Sequence, residues 1–282
     1  MPKQKGLATF SYHERGFAPI LSLIVIAAIV AAGFFLYSNY FQNRPKSATQ
    51  APQITQNPQA STQQPNDSKT NPYLGVPCVS NPNPKFTHDF TDSSLIAKVT
   101  PPSLIASKVQ DRAFLWIDAS KATKVPIYAS VDADLVRGVY KMRITQGQET
   151  IDYDLHFQVS CEVWFFINHI SSPENKIKNF FPKTPATNTS SENYTKFSPP
   201  LHFSAGELIG YTTGTAQAHN FDFAVFDLNH TNKLVGELKT NDTRFNNFIC
   251  PFDDFLANIK SSYYQKLIPD LIPESNCKSN EK

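Results

Sequence analysis

Glycine is scarce, with ten residues in 282. That scarcity excludes a collagen-like chain and a glycine-linker protein. An excess of one charge sign is missing too: 26 basic side chains stand against 24 acidic ones, for a net charge of +2. The near-balance argues against a nucleic-acid binder and excludes an acidic solvating tail. Cysteine is limited to Cys78, Cys161, Cys250 and Cys277, too few for a disulfide-dense mini-scaffold but enough for two bridges. No P-loop, Gly-x-Gly-x-x-Gly, Cys-x-x-Cys, His-Glu-x-x-His or Gly-x-Ser-x-Gly occurs, and no segment repeats.

One local absence is more telling. No charged side chain lies between Arg15 and Arg44, and Ile20 to Tyr37 is almost wholly apolar. As a helix, Phe17 to Tyr37 rises roughly 30 Å, the thickness of a bilayer's hydrocarbon core. Residues 17–41 therefore read as a single transmembrane anchor, with Tyr37 and Tyr40 at an interface. Lys3, Lys5 and Arg15 put residues 1–16 on the cytoplasmic side and the remainder outside. The run is long for a signal peptide, and Tyr37-Ser38-Asn39-Tyr40 is a poor cleavage site, so the anchor is expected to stay. Arg15-Gly16-Phe17-Ala18-Pro19-Ile20-Leu21 resembles a type IV prepilin leader, cleaved after the glycine. Leu21 stands where pilins usually carry Glu, and Pro19 is atypical.

A polar tether follows at 42–75. Of the 28 residues from Asn43 to Thr70, 20 are Asn, Gln, Pro, Ser or Thr. Such a stretch buries too little apolar surface to offset its ordering entropy, so disorder is expected.

Residues 76–282 hold the folding capacity. Alternating apolar side chains predict strands at Ala113–Asp118, Val125–Ser130, Asp134–Thr145, Ile151–Gln158, Glu162–Asn168, Glu207–Thr212 and Phe221–Asp227. Alternation runs unbroken from Ile151 to Ile167, about 55 Å as one strand, so a hairpin or bulge is expected near Ser160–Glu162. Pro251, Asp253 and Asp254 suit a helix start, and Phe252, Phe255, Leu256, Ile259, Tyr263 and Leu267 form its apolar stripe. Residues 171–200 read as a long loop. The fold class is thus mainly β, an antiparallel sandwich or barrel with one C-terminal helix. Of three cysteine pairings, Cys250–Cys277 would clamp the C-terminal tail and Cys78–Cys161 would form the second bridge; a free buried Cys161 is the alternative.

Several segments together carry a resemblance: Phe114-Leu115-Trp116-Ile117-Asp118, Val125-Pro126-Ile127-Tyr128-Ala129, Phe165-Phe166-Ile167-Asn168-His169-Ile170-Ser171, Ala205-Gly206-Glu207-Leu208-Ile209-Gly210, and Asn220-Phe221-Asp222-Phe223. In this order they resemble the lysostaphin-type (LytM-like) zinc endopeptidases, which cut peptidoglycan cross-bridges and have a duplicated hybrid-motif β fold. The resemblance covers residues 114–227, with 171–200 as an insertion. It implies zinc ligands at 114, 118 and 222 and catalytic histidines at 169 and 220. Here Asp118 and His169 match, whereas Phe114, Asn220 and Asp222 replace histidines. Catalytic zinc wants three protein ligands, mostly imidazole, and an open position for water. Asp118 and Asp222 suit a harder divalent ion better. His219 is one residue from Asn220, and a one-residue shift turns a strand side chain to the other face unless a bulge intervenes.

The expected function is therefore a membrane-anchored, non-catalytic lysostaphin-like domain that binds peptidoglycan or regulates a wall hydrolase, as degenerate family members do. The alternatives are a divergent metallo-endopeptidase using Asp118, Asp222 and His169, and a pilin-like surface component.

Overall fold

A computed structural model describes residues 69–105, 108–145, 148–187, 194–232, 243–271 and 275–277. The expected anchor at 17–41, its leader and the tether up to residue 68 lie outside them. No helix among the described residues is long and apolar enough to cross a membrane.

The protein is mainly β, with antiparallel sheets. Its strands are β1 (Ile96–Thr100), β2 (Ser103–Ile105), β3 (Lys108–Gln110), β4 (Ala113–Ile117), β5 (Val125–Tyr128), β6 (Ala133–Thr145), β7 (Gln148–Gln158), β8 (Val163–Ile170), β9 (Ser172–Pro173), β10 (Thr195–Phe203), β11 (Leu208–Thr212) and β12 (Asn220–Asp227). Among the described residues, the two short α-helices are α1 (Asn175–Lys178) and α2 (Ala257–Tyr264). A seven-stranded sheet runs β1-β4-β12-β8-β7-β6-β10, and a three-stranded sheet runs β5-β11-β9.

Period-2 patterning builds the main core. Ala113, Leu115 and Ile117 of β4, Phe221, Phe223 and Val225 of β12, and Val163, Phe165 and Ile167 of β8 all point to one face. They meet Val125, Ile127 and Ile209 of the small sheet and a set of aromatics, among them Phe90 stacked on Phe223 with ring centres 4.3 Å apart. The expected break between β7 and β8 is a tight turn: the Val159 and Ser160 amides both donate to the Val163 carbonyl.

The central strands are covered on both faces. Trp164 and Phe166 of β8 and Ala224 and Phe226 of β12 form a second cluster with Leu74 and Phe248, in which Trp164 stacks on Phe226 at 4.0 Å. Tether and domain therefore meet earlier than expected. Asn71 and Leu74 are buried, and the Asn71 side chain donates to the Cys161 carbonyl. Residues 69–75 belong to the fold. The disulfides are Cys78–Cys161 and Cys250–Cys277, so Cys161 is not a free thiol.

Two local expectations need correction. Residues 171–200 are not one loop: they contain β9, α1 and the start of β10. The Pro199-Pro200 pair hides β10 in the sequence; it is tolerated because β10 is an edge strand whose register shifts between Lys196 and Leu201. The C-terminal helix starts only at Ala257. Phe86 donates to the Asp254 carbonyl and accepts from the Leu256 amide, which holds Leu256 extended at ψ 148°. The apolar stripe was still a burial signal, since Phe252, Phe255, Tyr263 and Leu267 are all buried.

Candidate functional site

β6 and β7 form a long hairpin that places Lys141 opposite Asp152 and Arg143 opposite Thr150. Alternation puts Lys141, Arg143, Asp152 and Asp154 on the face opposite the main core. β8 lies beside β7, with Leu155 opposite Ile167 and then Tyr153 opposite Ile170. Two steps along β7 match three along β8, so β8 carries a bulge there. His169 occupies it, with φ 67°, and both Asn168 and His169 turn toward the polar face. A left-handed backbone costs a non-glycine residue roughly 1–2 kcal/mol, so something must hold His169 there.

The polar contacts do so. His169 Nδ1 lies 2.7 Å from Asp152 Oδ2, and Nε2 lies 3.5 Å from Asp222 Oδ2 on β12. The Thr212 hydroxyl donates to the His169 carbonyl. Asp222 also accepts from Asn168 Nδ2 at 3.3 Å and from Arg112 Nη1 at 3.5 Å, and Arg112 Nε donates to Asp111 at 2.7 Å. Arg143 Nε lies 3.2 Å from Asp152, and Lys141 pairs with Asp154. Four carboxylates thus face Lys141, Arg112, Arg143 and the imidazole. Burial alone pushes His169 down, but hydrogen bonds and charge from Asp152 and Asp222 outweigh it and raise its pKa to about 9. Burial pushes the Asp222 carboxyl up, and His169, Arg112 and Asn168 outweigh that and hold it low. Protonated His169 is the fourth cation that balances the set.

Above this network lies a cleft of about 590 Å³. Arg143, Asp152 and His169 line one side, and the β11–β12 loop (Thr213 to His219) lines the other. His169 and His219, at φ 50°, are the two non-glycine residues with positive φ among the described residues, and both face this cleft. The left-handed turn brings exposed His219 to the cleft. The loop is closed by the Thr215 amide and hydroxyl, both 2.7 Å from Asn220 oxygens. Gly214, at φ 69°, permits that closure, since a Cβ there would lie 2.5 Å from the His219 carbonyl carbon. Gly214→Ala is expected to lower stability by about 1–2 kcal/mol through left-handed strain alone, read from denaturant unfolding; an unchanged midpoint would contradict the tight turn.

The residues singled out in the sequence divide. Phe114 lies directly opposite Asp222, Asn220 opposite Trp116, and His169 touches Asp222. Asp222 is buried rather than facing solvent, because β12 is covered on both faces. Asp118 stands apart in the turn after β4, where its carboxylate accepts from the Ser120 amide and hydroxyl and pairs with Lys121. Asp118 thus lies four residues beyond Phe114, past the end of β4. Among the described residues, the set with metal-compatible spacing is Asp152, Asp154 and His169, whose ligand atoms lie within 4.8 Å of one another. Lys141 already places its ammonium against both carboxylates.

Sequence reasoning missed Lys141, Arg143, Asp152 and Asp154. The signal was a basic pair at i, i+2 on one strand and an acidic pair at i, i+2 on the next. Comparison of the chain with family models, with curated proteins and with solved structures found no match.

Proposed function

We propose that this chain is a membrane-anchored, extracytoplasmic, non-catalytic lysostaphin-like domain that binds peptidoglycan or regulates a wall hydrolase through the cleft above His169. The observation that carries this reading is the contact of His169 with Asp222, itself opposite Phe114: positions aligned with a zinc site lie together under a cleft. Their chemistry is wrong for hydrolysis. A zinc-bound hydroxide needs neutral imidazole ligands and an open coordination position. Here a phenyl ring and a salt-bridged carboxylate stand at two of the three ligand positions, and the His169 imidazole is engaged by Asp152 and Asp222. Their charges compensate one another, which suits a rigid binding floor better than a reaction centre. Two disulfides favour an oxidising compartment, in keeping with a domain beyond the membrane.

The test uses the full chain in detergent micelles, sedimented with purified peptidoglycan. Retention is expected, without release of soluble muropeptides when zinc or magnesium is added. Absence of retention, together with no hydrolase recovered by cross-linking, would remove the reading. Metal-dependent cleavage would favour the endopeptidase alternative, with Asp152, Asp154 and His169 as the group to mutate.

A further inference from the structure

The cleft contains an unpaired strand edge. β7 pairs with β8 from Tyr153 to Gln158, whereas Gln148 to Asp152 pair only with β6 among the described residues. β8 leaves β7 after Ile170, and Ser171 bonds to Tyr211 in the small sheet instead. The gap is the cleft, and Thr150, Ile151 and Asp152 line it beside Ser171 and Thr213.

Hydrogen-bond parity shows which backbone groups point into the gap. Met142 lies opposite Ile151, and the Met142 amide donates outward from β6 to the Ala186 carbonyl. In an antiparallel ladder, both members of such a pair point away from each other. The N–H and C=O of Ile151 therefore face away from β6, on the side that β8 has vacated. The β7–β8 turn agrees, since the Val159 amide, of the same odd parity, bonds across to Val163. Glu149 follows by the same alternation. The Ile151 side chain is 46% exposed, in keeping with an edge that no described strand covers.

Arg143 is balanced by Asp152 within the network, yet it lines the cleft with its side chain 35% exposed. It pairs through Nε with Asp152, its only partner among the described residues. A guanidinium matches a carboxylate in two-point geometry.

We infer that an extended acidic segment of a partner protein adds as a strand to the free edge of β7, with a carboxylate on Arg143. Main-chain bonds to Ile151 and Glu149 supply the register, and Arg143 selects the charge. This names the occupant of the cleft and rests on the reading of that cleft as a binding site.

Fluorescence anisotropy on the full chain in micelles tests it. The probe is a labelled octapeptide of alternating valine and threonine ending in two aspartates. Controls end in two lysines, or carry N-methyl groups at alternate residues. Saturable binding of the acidic probe is expected, with at least a tenfold loss for Arg143→Gln and for Ile151→Pro. Proline is tolerated at Ile151 because its amide is outside the β6 ladder. Should Ile151→Pro unfold, the N-methylated probe removes the same bonds from the ligand side and must fail to bind. Equal binding of the lysine-ended or N-methylated probe would overturn the inference. So would absence of acidic-probe binding by a chain that still sediments with peptidoglycan or cross-links to a hydrolase, which leaves the proposed function standing; loss of all three removes both.

Discussion

Replacing His169 by alanine is expected to lower the stability of the fold by roughly 3–5 kcal/mol, the range for removing one partner of a buried ion pair. The imidazole lies between Asp152 at 2.7 Å and Asp222 at 3.5 Å, and all three side chains are buried. Without it, four carboxylates face three cations in a medium that solvates the surplus charge poorly. Alanine keeps the Cβ, so the left-handed strain at residue 169 remains and offsets none of this loss. Guanidinium unfolding of wild type and variant measures the difference, and a change near zero would sink the account of the network.

The same group sets a pH dependence of definite sign. Its pKa is raised from 6.5 to about 9 by folding. Its contribution is therefore complete below about pH 6.5 and is lost as the pH rises through about 9. The loss is of order 3 kcal/mol. Asp222 acts oppositely: its folded pKa is lowered, so its contribution is present above the ordinary carboxylate range and is lost as the pH falls through the folded value. Wild type should show an alkaline decline that His169→Ala lacks. An alkaline limb of equal depth in the variant would assign that decline to another group.

Opening the Cys78–Cys161 bridge is the second large effect. It closes a loop between residues 83 apart, and chain entropy gives about 4–5 kcal/mol for such a loop. The Cys250–Cys277 bridge, with a separation of 27, gives about 3–4 kcal/mol. The first has a structural consequence as well. It ties down the 69–78 segment, whose Leu74 packs on Trp164 and Phe226 on the outer sheet face. The double variant Cys78→Ser/Cys161→Ser should therefore lower the unfolding midpoint and shift Trp164 fluorescence to the red before global unfolding. A midpoint unchanged by the substitution and by reductant would contradict this.

Much of the sheet was legible because strand burial has a period of two. β4, β5, β6, β7, β8, β11 and β12 lie where alternation or short apolar runs placed them, since inward residues such as Leu115, Ile127 and Phe223 repeat at that spacing. β10 was not, because its prolines carry the signature of a loop and only its edge position makes them harmless. The helix start was misplaced because Phe86, more than 160 residues away, takes the backbone bonds that residues 254 and 256 would have used. No local pattern encodes that contact.

The candidate site divides along the same line. His169 and Asp222 were identifiable from a motif resemblance, as was the mismatch of Phe114. Lys141, Arg143, Asp152 and Asp154 were visible only as ordinary alternating charges on two strands. Their meaning depends on the hairpin register that sets Lys141 opposite Asp152. A one-residue slip would turn either set to the core face. His219 was set aside for lack of a bulge, and its left-handed backbone supplies the turn that periodicity cannot show.

Composition and patterning by themselves determined a mainly β domain and the positions of its alternating strands, because these depend on residue type and local spacing. Tertiary structure alone decided that Asp222 is buried, that His169 lies between two carboxylates and that the edge of β7 is open. Each of those depends on which distant strand lies alongside, and strand neighbours are chosen by packing across the whole core.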